Sequence, residues 1–260
     1  MMQDNTIQMA RHHQDGHSHS HPHSRGDTKV QSVKSGRREI KVVRRVLDVN
    51  EKMADENREL FNQHGIFVLN MMSSPGSGKT TTLEKTLATI MPEIKCAVIV
   101  GDICTTNDAD RLAVSGAPVV QINTDEFGGD CHLAAHVIEK AARSIDLHDL
   151  DLLIVENVGN LVCPAEFDIG EDARAVILSV TEGEDKPLKY PLMFRESDVA
   201  ILNKTDLLPY LDYDMGEAVS SIRQVHPDMP VFEMSSKTEE GMGPWLDWLK
   251  EQVHNKLQQG

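Results

Sequence analysis

Hydrophobic residues change their spacing along the chain near residue 66. Upstream of that point, positions between Met53 and His64 recur at helical spacing and Gly65 follows as a stop signal, which predicts a helix. Downstream, short apolar runs alternate with longer amphipathic segments. The runs occupy residues 66–72, 96–100, 118–122, 151–157, 175–180, 198–203 and 230–234.

Continuous runs of Val, Ile and Leu are typical of strands buried on both faces, and the segments between them are typical of helices. Their alternation predicts a doubly wound α/β fold, with a mostly parallel seven-stranded sheet and helices on both faces. Ligands of such sheets bind at the carboxyl ends of the strands. We divide the chain into a disordered His-rich tail (1–36), a basic segment with an N-terminal helix (37–65) and an α/β domain (66–257).

Charge divides the chain in a similar way. Residues 1–45 hold nine Lys or Arg and four Asp or Glu, whereas the remainder holds 17 basic and 37 acidic residues. The strongly acidic part of the chain after residue 45 repels the phosphate backbones of nucleic acids, which argues against nucleic acid as a partner. No apolar run reaches the ~18–20 residues of a membrane span, and residues 1–10 lack the apolar stretch of a secretory signal. We therefore expect a cytoplasmic protein that does not bind membranes.

The segment SSPGSGKTT, directly after the first apolar run, matches the phosphate-loop pattern G-x-x-x-x-G-K-[ST], with Ser73 in place of the first glycine. Backbone N–H groups of such a loop surround phosphates, Lys79 would reach the outer phosphates, and the Thr80 hydroxyl would bind Mg²⁺. The residues predicted to contact phosphate are Gly76, Ser77, Gly78, Lys79, Thr80 and Thr81. A glycine-rich turn with an exposed lysine is the alternative.

Asn203-Lys204-Thr205-Asp206 follows the sixth apolar run and predicts the base. The Asp206 carboxylate can accept two hydrogen bonds from guanine, and adenine lacks that pair of donors. Lys204 can lie over the base while Asn203 braces the loop. Ser235-Ser236-Lys237, after the last run, resembles the small-small-Lys loop that contacts the guanine carbonyl in GTPases, and we assign nucleotide contacts to Ser236 and Lys237. These features favour GTP over ATP.

Acidic residues end two further predicted strands. Asp102 closes the second strand and Glu156 the fourth, where carboxylates can hold Mg²⁺ or orient the attacking water. Gly159 could read the γ-phosphate through its backbone N–H. We assign catalytic roles to Lys79, Asp102, Glu156 and Gly159, and Mg²⁺ to Thr80, Asp102 and Glu156. Thr105 or Thr106 could complete the Mg²⁺ shell, and helix capping is the alternative for the carboxylates.

Four cysteines are too few for a disulfide scaffold. Cys131 and His132 stand at the predicted start of a helix that runs to about Arg143, and Cys163 lies four residues after Gly159. Two thiolates and an imidazole suit Ni²⁺, Zn²⁺ or Cu⁺, although three unrelated residues are the alternative. The tail holds six histidines, which suit weaker metal binding: His12, His13, His17, His19, His21 and His23.

The segments SSPGSGKTT, GDICTTNDADR, GGDCHL, VENVGNLVCPAEFDIGE and NKTDLLPY stand in this order, and the chain resembles the HypB family from about Val46 to Leu249. The resemblance implies a P-loop GTPase of the SIMIBI class that uses GTP, GDP and Mg²⁺. It also implies slow hydrolysis, nucleotide-linked homodimerisation and delivery of Ni²⁺ to the [NiFe]-hydrogenase large subunit with a zinc-bearing HypA-type partner. Cys131, His132 and Cys163 match the family's metal ligands, at which Zn²⁺ can replace Ni²⁺. The N-terminal cysteine motif of some members is absent.

Two other functions stay open. A UreG-like urease GTPase would have the same nucleotide-binding loops, although the pairing of Cys131-His132 with Cys163 argues against it. A passive nickel-storage protein would use mainly the His-rich tail. Because Gly159 and Cys163 share one short segment, we also expect the nucleotide state to control metal affinity through residues 157–163.

Overall fold

A computed structural model describes residues 36–102, 107–123 and 132–259. In this part of the chain, seven strands form one sheet in the order β3-β2-β4-β1-β5-β6-β7, and every recorded pairing is parallel. The strands are β1 (Phe67–Ser73), β2 (Cys96–Asp102), β3 (Val119–Asn123), β4 (Leu152–Glu156), β5 (Ala173–Ser179), β6 (Val199–Asn203) and β7 (Val231–Glu233). The predicted α/β fold is confirmed.

Helices cover both faces of the sheet. In chain order they are α1 (Gly36–Gln63), α2 (Lys79–Ile90), α3 (Asn107–Ala113), α4 (Ala135–Ala142), α5 (Cys163–Glu166), α6 (Lys186–Lys189), α7 (Pro191–Arg195), α8 (Met215–Val225) and α9 (Met242–Leu257). One face packs against α2, α3 and α9, with Trp245 fully buried in that core. The other packs against α1 and α4 in one cluster, which includes Phe61, and against α7 and α8 in a second, which includes Phe194.

The strand order explains where a ligand can bind. β1 lies at the centre of the sheet, hydrogen-bonded to β4 on one side and to β5 on the other. Because the strands are parallel, the carboxyl ends of β1, β4 and β6 lie along one edge, which brings together the segments after Ser73, Glu156 and Asn203. A crevice forms at this edge where the strand order reverses.

Two helices differ from the sequence expectation. α1 begins at Gly36, well before the periodic positions that predicted it. The helix expected to begin at Cys131–His132 begins only at Ala135, because Ala134 is extended (φ −86°, ψ 154°) and caps nothing with its side chain. The Ala135 N–H instead donates to the Asn50 Oδ1 of α1. His132 therefore precedes α4 and does not belong to it.

Several predictions concern residues outside the described part: the tail histidines, Thr105, Thr106 and Cys131. Asp102 ends β2 as predicted, but its side chain is not among those that the structure describes. Within the described ranges, no helix combines the length and apolar character needed to cross a membrane.

Candidate functional site

The phosphate loop links β1 to α2 and is built as its motif predicts. Gly78 caps α2 at φ 100°, and a Cβ at this position would lie 2.5 Å from Asn203 Nδ2, so only glycine fits. Lys79 Nζ donates to Ser73 Oγ at 2.9 Å. The serine that replaces the first motif glycine thus gives the lysine a hydroxyl acceptor beside the loop.

The Asn203–Asp206 loop packs directly against the phosphate loop. Asn203 Nδ2 donates to the Ser77 carbonyl at 3.0 Å, and Lys204 Nζ donates to the Gly76 carbonyl at 2.6 Å. Lys204 itself has a left-handed backbone (φ 67°). The predicted bracing role of Asn203 therefore has a structural basis, and the two loops form one binding unit.

The loop after β7 completes this unit. Ser236 donates to Asn203 Oδ1 from both its backbone N (3.0 Å) and its Oγ (2.9 Å), whereas Lys237 is exposed. The buried Ser235, which belongs to the predicted loop but had no contact assigned to it from sequence, donates from Oγ to Asp206 Oδ1 at 2.6 Å. Ser235 therefore orients the carboxylate that was predicted to select guanine.

Glu156 ends β4 beside the start of α2. Its Oε1 accepts a 2.7 Å hydrogen bond from Thr80 Oγ1, while its Oε2 is buried without a hydrogen-bond partner. Burial raises the pKa of Glu156 to about 7, against the opposing effects of the Lys79 charge and the Thr80 hydroxyl. A buried carboxylate oxygen without a partner, next to a phosphate-loop threonine, fits the oxygen-donor set that Mg²⁺ prefers.

Arg111 lines the same site, although no sequence motif indicated a role for it. A cleft of about 510 Å³ is lined by the phosphate loop, Glu156, Gly159, Lys204 and Arg111. The guanidinium of Arg111 donates to both carboxylate oxygens of Glu84, at 3.1 and 2.6 Å, which raises its pKa above the ordinary value. The segment GDICTTNDADR ends on this arginine, but its approach to the cleft depends on how α3 packs.

The segment after Glu156 passes from the nucleotide cleft towards Cys163. A Cβ at Gly159 would lie 3.1 Å from the Pro75 Cα, so this backbone packs against the phosphate loop. Asn157 is buried, and its Oδ1 accepts from the backbone N of Leu133 at 3.3 Å. A single buried side chain therefore joins this segment to the residue that follows His132.

Two of the three candidate metal ligands lie in the described part. The His132 ring stacks on the Phe167 ring, with 3.7 Å between centroids and 22° between planes. Phe167 follows α5, which begins at Cys163, so the two candidate ligands lie on segments in contact. Cys163 is disulfide-bonded, and its binding of a metal requires the reduced thiol. Within the described residues no group of three His, Cys, Asp or Glu could hold a metal, and Cys131 lies outside them.

A phosphate loop after the central strand of a parallel sheet, braced by an N-K-x-D loop, defines a nucleotide-binding protein of the P-loop NTPase class. The sequence model of the family described as "CobW/HypB/UreG, nucleotide-binding domain" matches residues 67–233. The chain belongs to this family and, within it, to the HypB hydrogenase maturation factors.

Curated relatives support this assignment. The hydrogenase maturation factor HypB of Escherichia coli K12 is 49% identical over 218 residues, which are 84% of this chain and 74% of that protein. The probable HypB of Methanocaldococcus jannaschii is 37% identical over 214 residues, which are 82% of this chain and 96% of that protein.

Solved structures agree. The crystal structure of HypB from Helicobacter pylori in complex with nickel aligns with a TM-score of 0.74 and 40% identity, over 80% of this chain and 96% of that one. The HypB of Archaeoglobus fulgidus also aligns with a TM-score of 0.74, at 36% identity, over 79% and 99% of the two chains. The signal recognition particle receptor FtsY from Elizabethkingia anophelis (TM-score 0.51, 17% identity, 84% and 78% covered) shares the fold alone.

Proposed function

We propose that this maturation factor hydrolyses GTP and uses the nucleotide state to control the binding and release of Ni²⁺ destined for the [NiFe]-hydrogenase large subunit. One observation carries the proposal. Residues 156–163 begin with a carboxylate bonded to Thr80 of the phosphate-loop helix and end with Cys163, and they contact both Pro75 and Leu133 on the way.

The nucleotide site supports guanine and a bound cation. The hydrogen bond from Ser235 orients the Asp206 carboxylate, which would accept from the two donors of guanine. Hydrogen bonds from Asn203 and Lys204 hold this loop against the phosphate loop. The Thr80 hydroxyl and the Glu156 carboxylate would hold Mg²⁺, which would neutralise charge on the outer phosphates. Lys79 would contact the same phosphates, and Gly159 would sense the γ-phosphate through its backbone N–H. An exchange of GTP for ATP tests the base, because equal hydrolysis rates would contradict the assignment to Asp206.

The metal site would take Ni²⁺, or Zn²⁺ in its place, through Cys131, His132 and Cys163. Loss of the γ-phosphate would release the backbone around Gly159, and both described ligand segments would respond. Cys163 would move because it belongs to the same segment, and His132 would move because Asn157 bonds to Leu133. By linkage, bound nickel must change nucleotide affinity by the same free energy.

The test is a nickel titration of the full chain under reducing conditions, with GDP and with a non-hydrolysable GTP analogue. Sulfur-to-nickel charge-transfer absorption reports the cysteine site, because imidazoles of the tail do not produce it. We expect the affinity to differ between the two nucleotides and to fall in Cys163→Ala. Cys96→Ala, which changes a free thiol buried in the core, is the matched control. Wild-type nickel affinity of Cys163→Ala in both nucleotide states would refute the proposal.

The cellular role that we propose includes a homodimer, a HypA-type zinc-bearing partner and a cytoplasmic site of action. Leu207 and Leu208 are partly buried and Leu211 is exposed, so this cluster after the guanine loop is available to a second subunit. Deletion of residues 1–36 separates delivery from storage. Loss of bound nickel with intact hydrogenase maturation would assign the tail to storage, whereas loss of maturation at ample nickel would assign it to delivery.

A urease role is the second candidate. The relative of Helicobacter hepaticus, 38% identical to this chain, is called a hydrogenase/urease maturation factor. The test is to express the chain in strains that lack their own nickel GTPases. Restored hydrogenase activity without restored urease activity would support the hydrogenase role.

A further inference from the structure

The inner face of α1 carries two buried asparagines that bridge the same two segments of the nucleotide-binding domain. Asn50 Oδ1 accepts from the Ala135 N at 2.9 Å, and Asn50 Nδ2 donates to the Asp168 carbonyl at 2.7 Å. Asn57, two helical turns later, donates from Nδ2 to the Ala135 carbonyl at 2.8 Å and to the Ile169 carbonyl at 3.0 Å. Each amide therefore spans the gap between one segment and the other.

These two segments are the ones that carry the candidate nickel ligands. Ala135 lies three residues after His132, and Asp168 lies five residues after Cys163. Between them, Phe167 stacks on the His132 ring. Arg58 adds a hydrogen bond from Nη2 to Asp168 Oδ2 at 2.6 Å, so α1 holds the second segment by a side chain as well.

General packing does not account for this pair of amides. Asn57 is fully buried and Asn50 is 8% exposed, and burying an amide costs free energy unless its hydrogen bonds are made. Asn57 also leaves its Oδ1 buried without a partner, which an apolar side chain at this position would avoid. The bonds that the two amides do make all go to backbone atoms of the ligand-bearing segments.

We infer that Asn50 and Asn57 are positioning residues for the nickel site, and that α1 sets the distance between the His132 segment and the Cys163 segment. The inference rests on the proposed function of these two ligands. It adds a control on nickel affinity that does not pass through the nucleotide, because the four bonds join α1 to residues 135 and 168–169 and none reaches the phosphate loop. A partner that displaces α1 would thereby loosen the metal.

The consequence for binding follows from preorganisation. Ligands held at a fixed separation bind a metal more tightly than ligands on independent segments, and residues that orient metal ligands typically contribute about 10–100-fold in affinity. We therefore expect Asn50→Ala to weaken nickel binding by about 10-fold or more, with GDP affinity changed by less than about 2-fold.

The experiment measures nickel affinity of the full, reduced chain by charge-transfer absorption, together with GDP affinity and thermal unfolding. Asn62→Ala is the matched control, because Asn62 lies on the same helix but bonds to Lys256 and not to the ligand segments. Asn50→Asp keeps an acceptor for the Ala135 N–H and loses the donor to the Asp168 carbonyl, so it breaks the bridge while retaining the cap of α4.

The inference predicts weakened nickel binding in both Asn50 variants and wild-type binding in Asn62→Ala. If Asn50→Ala does not fold, as GDP affinity would reveal, the decision rests on Asn50→Asp. Nickel affinity within about 2-fold of wild type in the folded Asn50 variants would overturn the inference while leaving the proposed function intact. Wild-type protein without a nickel–thiolate band would instead refute the proposed function.

Discussion

The buried carboxyl of Glu156 makes stability depend on pH in a direction that can be calculated. Its pKa is about 7 in the folded chain and 4.5 in the unfolded reference, so the folded state retains the proton between these values. The contribution of Glu156 to the free energy of unfolding is therefore fully present below about pH 4.5. It is lost as pH rises through about 7, and the total loss is about 3 kcal/mol. Between about pH 6 and about pH 8, above the isoelectric region, the expected loss is about 1 kcal/mol.

The assay is denaturant unfolding of the chain without nucleotide or Mg²⁺, at several pH values in this range, for wild type and Glu156→Gln. The glutamine variant keeps the shape and an acceptor for Thr80 but cannot ionise. We expect wild-type stability to fall by about 1 kcal/mol more than that of the variant over this range, and other titrating groups cancel in the difference. Parallel pH profiles for the two proteins would refute the argument that Glu156 is held protonated by burial.

Three other substitutions test the nucleotide site. Gly78→Ala places a Cβ 2.5 Å from Asn203 Nδ2 at a residue with φ 100°. We expect unfolding measurements to show about 1–3 kcal/mol of lost stability and titrations to show weaker GTP binding. Gly243→Ala is the control and should change neither, because the space around Gly243 is open. Arg111→Ala should lower the single-turnover rate of GTP hydrolysis about 10-fold or more while GDP affinity stays within about 2-fold, and an unchanged rate would remove Arg111 from the reaction. Asp206→Asn should weaken GDP binding about 10–100-fold in a calorimetric titration, because it replaces a charged acceptor that faces two donors, and wild-type affinity would contradict the guanine assignment.

The sheet could be predicted from sequence because its strands are buried on both faces. Such strands give uninterrupted apolar runs, and each predicted run overlaps an observed strand, including the three-residue Val231–Glu233 at the edge. The phosphate loop and the Asn203–Asp206 loop were recognisable because their chemistry is local: a few adjacent residues supply the glycines, the lysine and the carboxylate. In the structure the two loops are in contact through Gly78, Ser77 and Asn203.

What the sequence could not provide are contacts between residues far apart in the chain. Arg111 enters the cleft because Glu84, on another helix, holds its guanidinium. Phe167 meets His132 only after α5 and the segment before α4 have packed together. The start of α4 was misplaced for the same reason, since its first N–H group is satisfied by Asn50, 85 residues upstream, and not by a local cap.

The segment between His132 and Ala135 receives polar contacts from two directions. Asn157 reaches Leu133 from the nucleotide side, and Asn50 reaches Ala135 from α1. Asn157 also donates to Asn70 Oδ1, and the Asn70 amide donates to Glu171, so the same buried network extends to the end of the segment that begins at Cys163. On the proposed function, an event at either source would therefore act on the segments that carry the two described candidate ligands. Since coupling free energies are reciprocal, the proposed function requires that nickel binding favours one nucleotide state, and the inference about α1 requires that it also favours one position of that helix.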